Sequence, residues 1–136
     1  MAKIHKKTFD ISDTKEGFYA GENYFHIDDL IALPIQALNR KGYITEFCCA
    51  GHPFAKPYDS SISFKEGIWL PSLPPKFVED KSFYKKFKKL RIIHKYVNYD
   101  CYNEHNAFEF IRAFLNDNIE AMEALYKWVI DLPLKE

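Results

Sequence analysis

The chain has 136 residues, 47% of them hydrophobic and 17% aromatic, and its 19 Lys and Arg residues balance 19 Asp and Glu residues. This composition excludes an intrinsically disordered chain, which would be poorer in aromatics and further from neutrality, and it predicts one domain over residues 1–136 with a real core. A membrane-spanning helix needs about 20 consecutive apolar residues, whereas the longest apolar run is Leu30 to Ile35. We therefore expect no membrane segment.

The N-terminus and the cysteines indicate the compartment. No apolar stretch follows the positive charges at the start of the chain, so no secretory signal is expected and the protein is predicted to be cytoplasmic. The three cysteines are an odd number, and two of them, Cys48 and Cys49, are adjacent. This pattern argues against a disulfide framework and leaves three roles open, namely thiols, metal ligands and core packing.

The first third of the chain predicts an edge strand, a helix and a second strand. Residues 1–25 mix short apolar pieces with glycines and predict one edge strand followed by a loop. The Asp28-Asp29 pair offers good N-caps, but proline would clash inside a helix, so we place the helix start near Pro34. Gly42 suits the left-handed position that ends a helix. The β-branched and aromatic residues from Tyr43 to Cys49 then predict a strand.

Proline-rich and basic segments follow. A long loop within residues 50–75 leads to a strand from Ser61 to Glu66, where polar and apolar residues alternate. Apolar residues at helical spacing from Glu79 to Leu90, with Asp80 as an N-terminal acid, predict a helix. A strand from Arg91 to Val97 follows.

The C-terminal segment predicts two helices. Apolar residues share one helical face over 104–115, and Asp117 to Glu120 has the spacing of a capping box that opens a last helix ending at Ile130. The complete pattern predicts an α+β fold with a small, mostly antiparallel sheet, helices packed on one face and a C-terminal helical pair.

One motif, within residues 42–53, carries chemistry. It places Cys48 and Cys49 at a strand end, and His52 follows Cys49 by three residues across Gly51, which permits a tight turn. Neighbouring side chains of a strand point to opposite faces, so one thiol is expected to be buried. An imidazolium beside a thiol favours the thiolate, which attacks electrophiles or binds metals. Cys49 is thus the predicted catalytic or contacting thiol, and His52 its base or phosphate partner. The alternative is a buried structural cysteine and a loop-capping histidine.

A family resemblance rests on the same segment. Leu38-Asn39 on a helix, Thr45 on a strand and then Cys49-Ala-Gly51 form a pattern that resembles the motif region of the tRNA wybutosine-synthesising methyltransferase family, which reads roughly Thr-Thr-Ser-Ser-Cys-Ser-Gly-Arg. The segment is also similar to small bacterial and phage proteins with Gly-Tyr-x-Thr-x-x-(Ser/Cys)-Cys-(Ser/Ala)-Gly-His. The resemblance covers Pro34 to His52, and this chain has Cys48 where the methyltransferases have a serine and His52 where they have an arginine.

The resemblance implies a pocket at the strand end from Thr45 to His52 that accepts a nucleotide or a modified base. Thr45, Cys48 and Gly51 are its expected ligand contacts. Trp69 lies in the proline-rich loop, which cannot bury much, so we expect it to line the pocket or act as a lid. The chain contains no Gly-x-Gly-x-x-Gly, so no dinucleotide cofactor is indicated.

A zinc site is an alternative interpretation of the cysteines. Cys49-x-x-His52 and Cys101-x-x-x-His105 together offer four ligands of the types that tetrahedral zinc prefers. The competing interpretation is that these residues are structural.

A basic segment offers a second alternative, a non-catalytic module that binds nucleic acid or an acidic protein. Its six cations are Lys81, Lys85, Lys86, Lys88, Lys89 and Arg91, with three aromatics and no acid between them, which suits phosphate contacts and base stacking. The opposing interpretation is that Phe83, Phe87 and Leu90 form a buried stripe beneath an ordinary lysine face. The net charge is +6 over residues 76–99 and −5 over residues 100–136, so overall neutrality hides a charge separation. A homo-oligomer also stays open, because aromatic residues are enriched at interfaces.

Overall fold

Within the residues that the structure describes, two antiparallel sheets and three helices form the fold, which confirms the α+β prediction. The structure is a computed structural model, and it describes residues 2–12, 23–52, 59–94 and 107–135. In chain order the elements are β1 (Ala2–His5), β2 (Ile11–Ser12), β3 (Tyr24–Ile27), α1 (Asp29–Arg40), β4 (Thr45–Cys49), β5 (Ser60–Phe64), β6 (Val78–Glu79), α2 (Lys81–Phe87), β7 (Arg91–His94) and α3 (Ala107–Asp131). Among the described helices, none has the length and apolar character to span a membrane.

The N-terminal sheet has the strand order β2-β1-β3. The predicted edge strand, β1, is therefore the central strand of this sheet, and the prediction was wrong because β3 escaped notice. That strand has only four residues and its pairing partner is distant in sequence, at Ala2↔Ile27 and His5↔Tyr24. Strand pairing over such a separation leaves no local sequence signal.

The second sheet has the strand order β4-β5-β7-β6 and presents two different faces. Cys48, Ile62 and Ile92 are aligned across three strands and face the hydrophobic core. The opposite face, here called the outer face, carries the aligned rows Phe47-Ser63-Arg91 and Cys49-Ser61-Ile93. Because side chains alternate along a strand, Cys48 and Cys49 lie on opposite faces, as predicted.

The helix α1 begins at Asp29 rather than near Pro34. Pro34 lies inside the helix and is buried, in the same core as Ile31 and Ile35. Proline removes one helical N–H and crowds the preceding turn. Burial of this apolar face stabilises the helix against that cost, which local propensity alone does not reveal.

The end of α1 follows the prediction at Gly42. The Gly42 N–H donates to Asn39 O at 3.0 Å, and the Tyr43 N–H donates to Leu38 O at 2.9 Å, which is the hydrogen-bond pattern of a Schellman cap. Gly42 has φ +95°, and an added Cβ would lie 3.0 Å from Cβ of Lys135. The cap fixes the direction in which the chain enters β4.

The predicted C-terminal helical pair is one continuous helix, α3, of 25 residues. The capping-box residue Asp117 lies in its interior and binds other elements: its Oδ2 is 3.0 Å from His94 Nε2, and its Oδ1 is 3.3 Å from Lys76 Nζ. No glycine or proline interrupts residues 107–131, so the helix continues through the capping sequence.

The short helix α2 begins as predicted, since Asp80 Oδ1 accepts a hydrogen bond from the Phe83 N–H at 3.1 Å. The predicted buried stripe is wrong. No residue of α2 is buried, and Phe87 is 51% exposed. Only Leu90, which follows the helix, reaches the core. A seven-residue helix on the sheet rim has too little contact area to bury its aromatic rings.

Candidate metal centre

The start of β4 is fixed by a buried amide on α1. Asn39 Nδ2 donates to Ile35 O at 2.8 Å and to Thr45 Oγ1 at 3.0 Å, while Asn39 Oδ1 accepts from the Thr45 N–H at 3.1 Å. Both groups of Thr45 are thereby bound to the scaffold. Thr45 lies about 13 Å along the strand from Cys49, so the structure does not bring these two predicted contacts together.

The other end of β4 is fixed through the peptide groups of Ala50. Its N–H donates to Asp28 Oδ2 at 3.0 Å, and its carbonyl accepts from Ser60 Oγ and Asn118 Nδ2, both at 2.7 Å. Ala50, Ser60 and Asn118 are buried, so these bonds are shielded from water. Three separate segments thus converge on Ala50 and hold the chain in place beside Cys49.

A tight turn follows and brings a thiol and an imidazole together. Gly51 has φ +91°, a conformation that side chains disfavour. Its N–H donates to Cys49 Sγ at 3.4 Å, and the turn places His52 Nε2 3.3 Å from the same sulfur. The predicted proximity of Cys49 and His52 is therefore present.

Asp28 completes a group of three ligands. One ligand atom each from Asp28, Cys49 and His52 lies within 4.8 Å of the other two. Asp28 occupies the N-cap position of α1, yet its side chain makes no cap hydrogen bond and points to Ala50 instead. The bond from the Ala50 N–H orients the carboxylate, as a supporting residue does for a metal ligand.

Burial and, to a smaller extent, Asp28 favour the protonated form of the Cys49 thiol. Burial raises the pKa of the Cys49 thiol above its ordinary value, and the charge of Asp28, together with a thiol hydrogen bond to it, acts in the same direction. The Gly51 N–H and the more distant Arg91 oppose this and lower the pKa. The pKa of the Cys49 thiol therefore moves in the direction opposite to the thiolate expected from the sequence, chiefly because the thiol is partly buried and secondarily because of Asp28, which sequence reasoning did not place here. This environment suits a metal ligand better than a nucleophile, since a bound cation displaces the proton directly.

Cys48 lies on the core side and is set apart chemically. Burial raises the pKa of its thiol to about 12, and the negative charges of Asp28 and Cys49 contribute. An ordinary cysteine titrates near 8.5. Cys48 is accordingly a packing residue at neutral pH rather than a contact within the site.

A surface pocket of about 290 Å³ is lined by two of the three candidate ligands, Asp28 and His52. Its walls are Asp28, Asp29, Leu30, Ala50, Gly51 and His52. The pocket therefore opens on the side of His52 and the N-terminus of α1. Trp69, expected as a lid, instead packs on Tyr84 of α2, with their ring centroids 5.2 Å apart.

The remaining predicted site residues fall elsewhere. Cys101 and His105 lie outside the described residues. Among the cations, Lys89 Nζ lies 3.0 Å from Glu46 and Arg91 Nη1 lies 3.9 Å from Asp80. The other four are exposed and form no ion pair with the described part of the chain: Lys81, Lys85, Lys86 and Lys88.

Sequence reasoning found two of the three side chains in the candidate metal-binding group. Cys49 and His52 share a short motif, but Asp28 is 21 residues away from Cys49 and its position before α1 indicates a helix cap. Asn118, which holds the Ala50 carbonyl from α3, has no local signal at all.

Comparisons of the chain with protein-family models, with curated proteins and with solved structures find no match.

Proposed function

We propose that the protein binds one zinc ion through Asp28, Cys49 and His52, with a fourth coordination position open to the adjoining pocket. The main observation in support is that a carboxylate, a thiol and an imidazole lie within 4.8 Å of one another on well-fixed backbone segments. This donor set matches zinc, a borderline-soft cation that accepts sulfur, nitrogen and oxygen ligands. The cytoplasmic location predicted from the sequence is consistent with the proposal, because thiols stay reduced in that compartment.

The distances are compatible with a tetrahedral site. Zinc bonds of about 2.3 Å to sulfur and about 2.0 Å to nitrogen place these two atoms about 3.5 Å apart. Cys49 Sγ and His52 Nε2 are already 3.3 Å apart. A modest rotation of the Asp28 carboxylate would complete the set, while its Oδ2 keeps the bond from the Ala50 N–H.

Among the described residues the group offers three ligands, a number that favours a reactive or ligand-binding zinc rather than a closed structural one. Structural sites supply four protein ligands, whereas sites that bind water or substrate supply three. One carboxylate and one thiolate neutralise the ion, and Asp29 adds a negative charge to the pocket wall. We therefore propose that the open position takes a neutral donor, such as water or a ring nitrogen of a nucleobase. The motif resemblance supports a base as ligand, and the charge balance disfavours a phosphate.

Zinc titration of the EDTA-treated full chain, in competition with a chromophoric chelator, tests the metal proposal. We expect one ion per chain, and in the cobalt-substituted protein a thiolate-to-metal charge-transfer band. Cys49→Ser and His52→Gln should each weaken binding at least about 100-fold. Zinc at a hundred times its Kd should stabilise the fold by about 2.7 kcal/mol, which raises Tm by about 10 °C.

Cys48→Ser is the matched control, because the adjacent thiol faces the core. It should leave zinc affinity within about twofold of wild type once its folded fraction is taken into account. A wild-type chain that retains no zinc, or a Cys49→Ser variant that binds as tightly as wild type, refutes the metal site. A loss of affinity in the Cys101→Ser, His105→Gln double variant refutes the open position, since those residues would then complete the coordination shell.

The nature of the ligand has its own test. Nucleosides added to the cobalt-substituted protein should change its absorption spectrum at lower concentrations than the matching nucleoside monophosphates do. Tighter binding of the monophosphates would contradict the charge argument and leave the metal site itself intact.

A further inference from the structure

The surface around α2 carries aromatic rings that the core does not use. Trp69 and Phe87 are each 51% exposed, and no residue of α2 is buried. Trp69 packs on Tyr84 at 5.2 Å between ring centroids, and Phe83 packs on Phe87 at 4.7 Å. Leaving large apolar rings in contact with water is unfavourable. The packing of the core does not explain why these rings are exposed.

Lysine ammonium groups lie beside these rings. Lys86 Nζ is 5.3 Å from the ring centroid of Phe87, and Lys88 Nζ is 5.5 Å from that of Tyr84. Neither lysine forms an ion pair with the described residues. A cation next to an exposed aromatic face is the arrangement that pairs with a phosphate while the ring stacks on the neighbouring base.

Lys88 also adopts an unfavourable backbone conformation. It ends α2 with φ +58°, in the left-handed region, where glycine or asparagine is the usual residue. A lysine there costs stability that a glycine would not. Lys88 thus places a positive charge next to the exposed rings, although a lysine in this conformation lowers the stability of the fold.

We propose that the α2 surface, formed by Trp69, Tyr84, Lys86, Phe87 and Lys88, binds single-stranded nucleic acid without sequence preference. The flat rings need unstacked bases, which a duplex does not offer. The charge of +6 over residues 76–99 attracts a polyanion. An acidic protein would use the lysines but would leave the exposed rings without a role. This surface does not depend on the metal centre.

Fluorescence anisotropy of the full chain in EDTA, with a labelled oligothymidine as probe, tests the proposal. We expect binding at low salt, with a slope of log affinity against log salt of about −3, because the two lysines of this surface and the neighbouring exposed Lys81 and Lys85 together neutralise about four phosphates. Trp69→Ala and Phe87→Ala should each weaken binding about fivefold or more. In a Trp128→Phe background, the fluorescence of Trp69 should be quenched by the oligonucleotide.

Lys88→Gly gives the sharpest discrimination. It should weaken binding while Tm stays unchanged or rises, because glycine relieves the left-handed strain. Lys127→Ala, which removes an exposed lysine from α3, is the matched control and should bind as wild type does. Absence of binding at low salt overturns the proposal. The proposal is also overturned if a labelled polyglutamate or a duplex binds as tightly as the single strand. It is equally overturned if the oligonucleotide does not quench the fluorescence of Trp69.

Discussion

The bond between Asn39 and Thr45 gives the most quantitative test of how α1 positions β4. Asn39→Ala removes the acceptor of the Thr45 N–H and the donor to Thr45 Oγ1. Leaving the backbone N–H without a partner costs about 2 kcal/mol, and losing the hydroxyl bond costs about 1 kcal/mol. We therefore expect a loss of about 3 kcal/mol, a large share of the 5 to 15 kcal/mol that stabilises a domain of about this size.

A double-mutant cycle separates the two contributions. Thr45→Val deletes the hydroxyl and retains the backbone N–H, so it should cost about 1 kcal/mol, and the double variant about 3 kcal/mol. The coupling energy is then about 1 kcal/mol, measured by urea unfolding with unchanged m-values. A cost of Asn39→Ala below about 1 kcal/mol would refute the reasoning. A Thr45→Val variant that loses zinc while folded would show that Thr45 belongs to the site instead.

Three further predictions concern the metal, the buried thiol and the end of α3. Zinc affinity of the wild-type chain should increase about tenfold per pH unit between about pH 7 and 8, because the ion displaces the Cys49 proton. Chelator competition measures this affinity, and an affinity that does not change with pH would contradict thiolate ligation. In zinc-free protein, the free energy of unfolding should fall as pH rises above about 8.5, because the unfolded chain ionises Cys48 while burial keeps the folded thiol protonated up to about pH 12. Urea unfolding at pH 8 and 10 should show a drop about 2 kcal/mol smaller in Cys48→Ala, and equal drops would exclude a raised pKa. Lys41 Nζ donates to the carbonyls of Val129 at 2.8 Å and Ile130 at 2.6 Å. Lys41→Met should therefore lower the free energy of unfolding by about 2 kcal/mol. Lys127→Met, at an exposed position, should change it by less than about 0.5 kcal/mol.

The local features of the fold were predictable where a short stretch of chain determines them. The Gly42 cap needs only a residue that accepts positive φ, and the Asp80 N-cap needs only a carboxylate before α2. The start of α1 and the continuity of α3 were not predictable in this way. Burial of Pro34 and the contacts of Asp117 with His94 and Lys76 outweigh the local signals at those positions.

In the candidate site, too, the features set by a short stretch of chain were predictable and those set by distant contacts were not. Cys49-x-x-His52 across a glycine is visible in the sequence, and so is the opposition of Cys48 and Cys49 on a strand. Asp28 reaches the site only because α1 packs beside β4, and burial of the thiol, with a smaller contribution from Asp28, raises the pKa of Cys49 where the sequence motif suggested a lower one. The sequence motif pointed to a nucleophile, whereas the assembled group has the chemistry of a metal ligand set.

The sequence by itself determined the α+β class, the Cys49–His52 pair and the separation of charge between residues 76–99 and 100–136. Tertiary structure alone decided which carboxylate joins the pair and which aromatic rings stay exposed. The physical reason is that backbone turns and strand alternation act over a few residues, whereas burial and electrostatic coupling depend on which distant segments pack together. Neutrality of the whole chain therefore carried no information about partners, and the proposal of a nucleic-acid partner rests on the exposed lysines beside Phe87 and Tyr84.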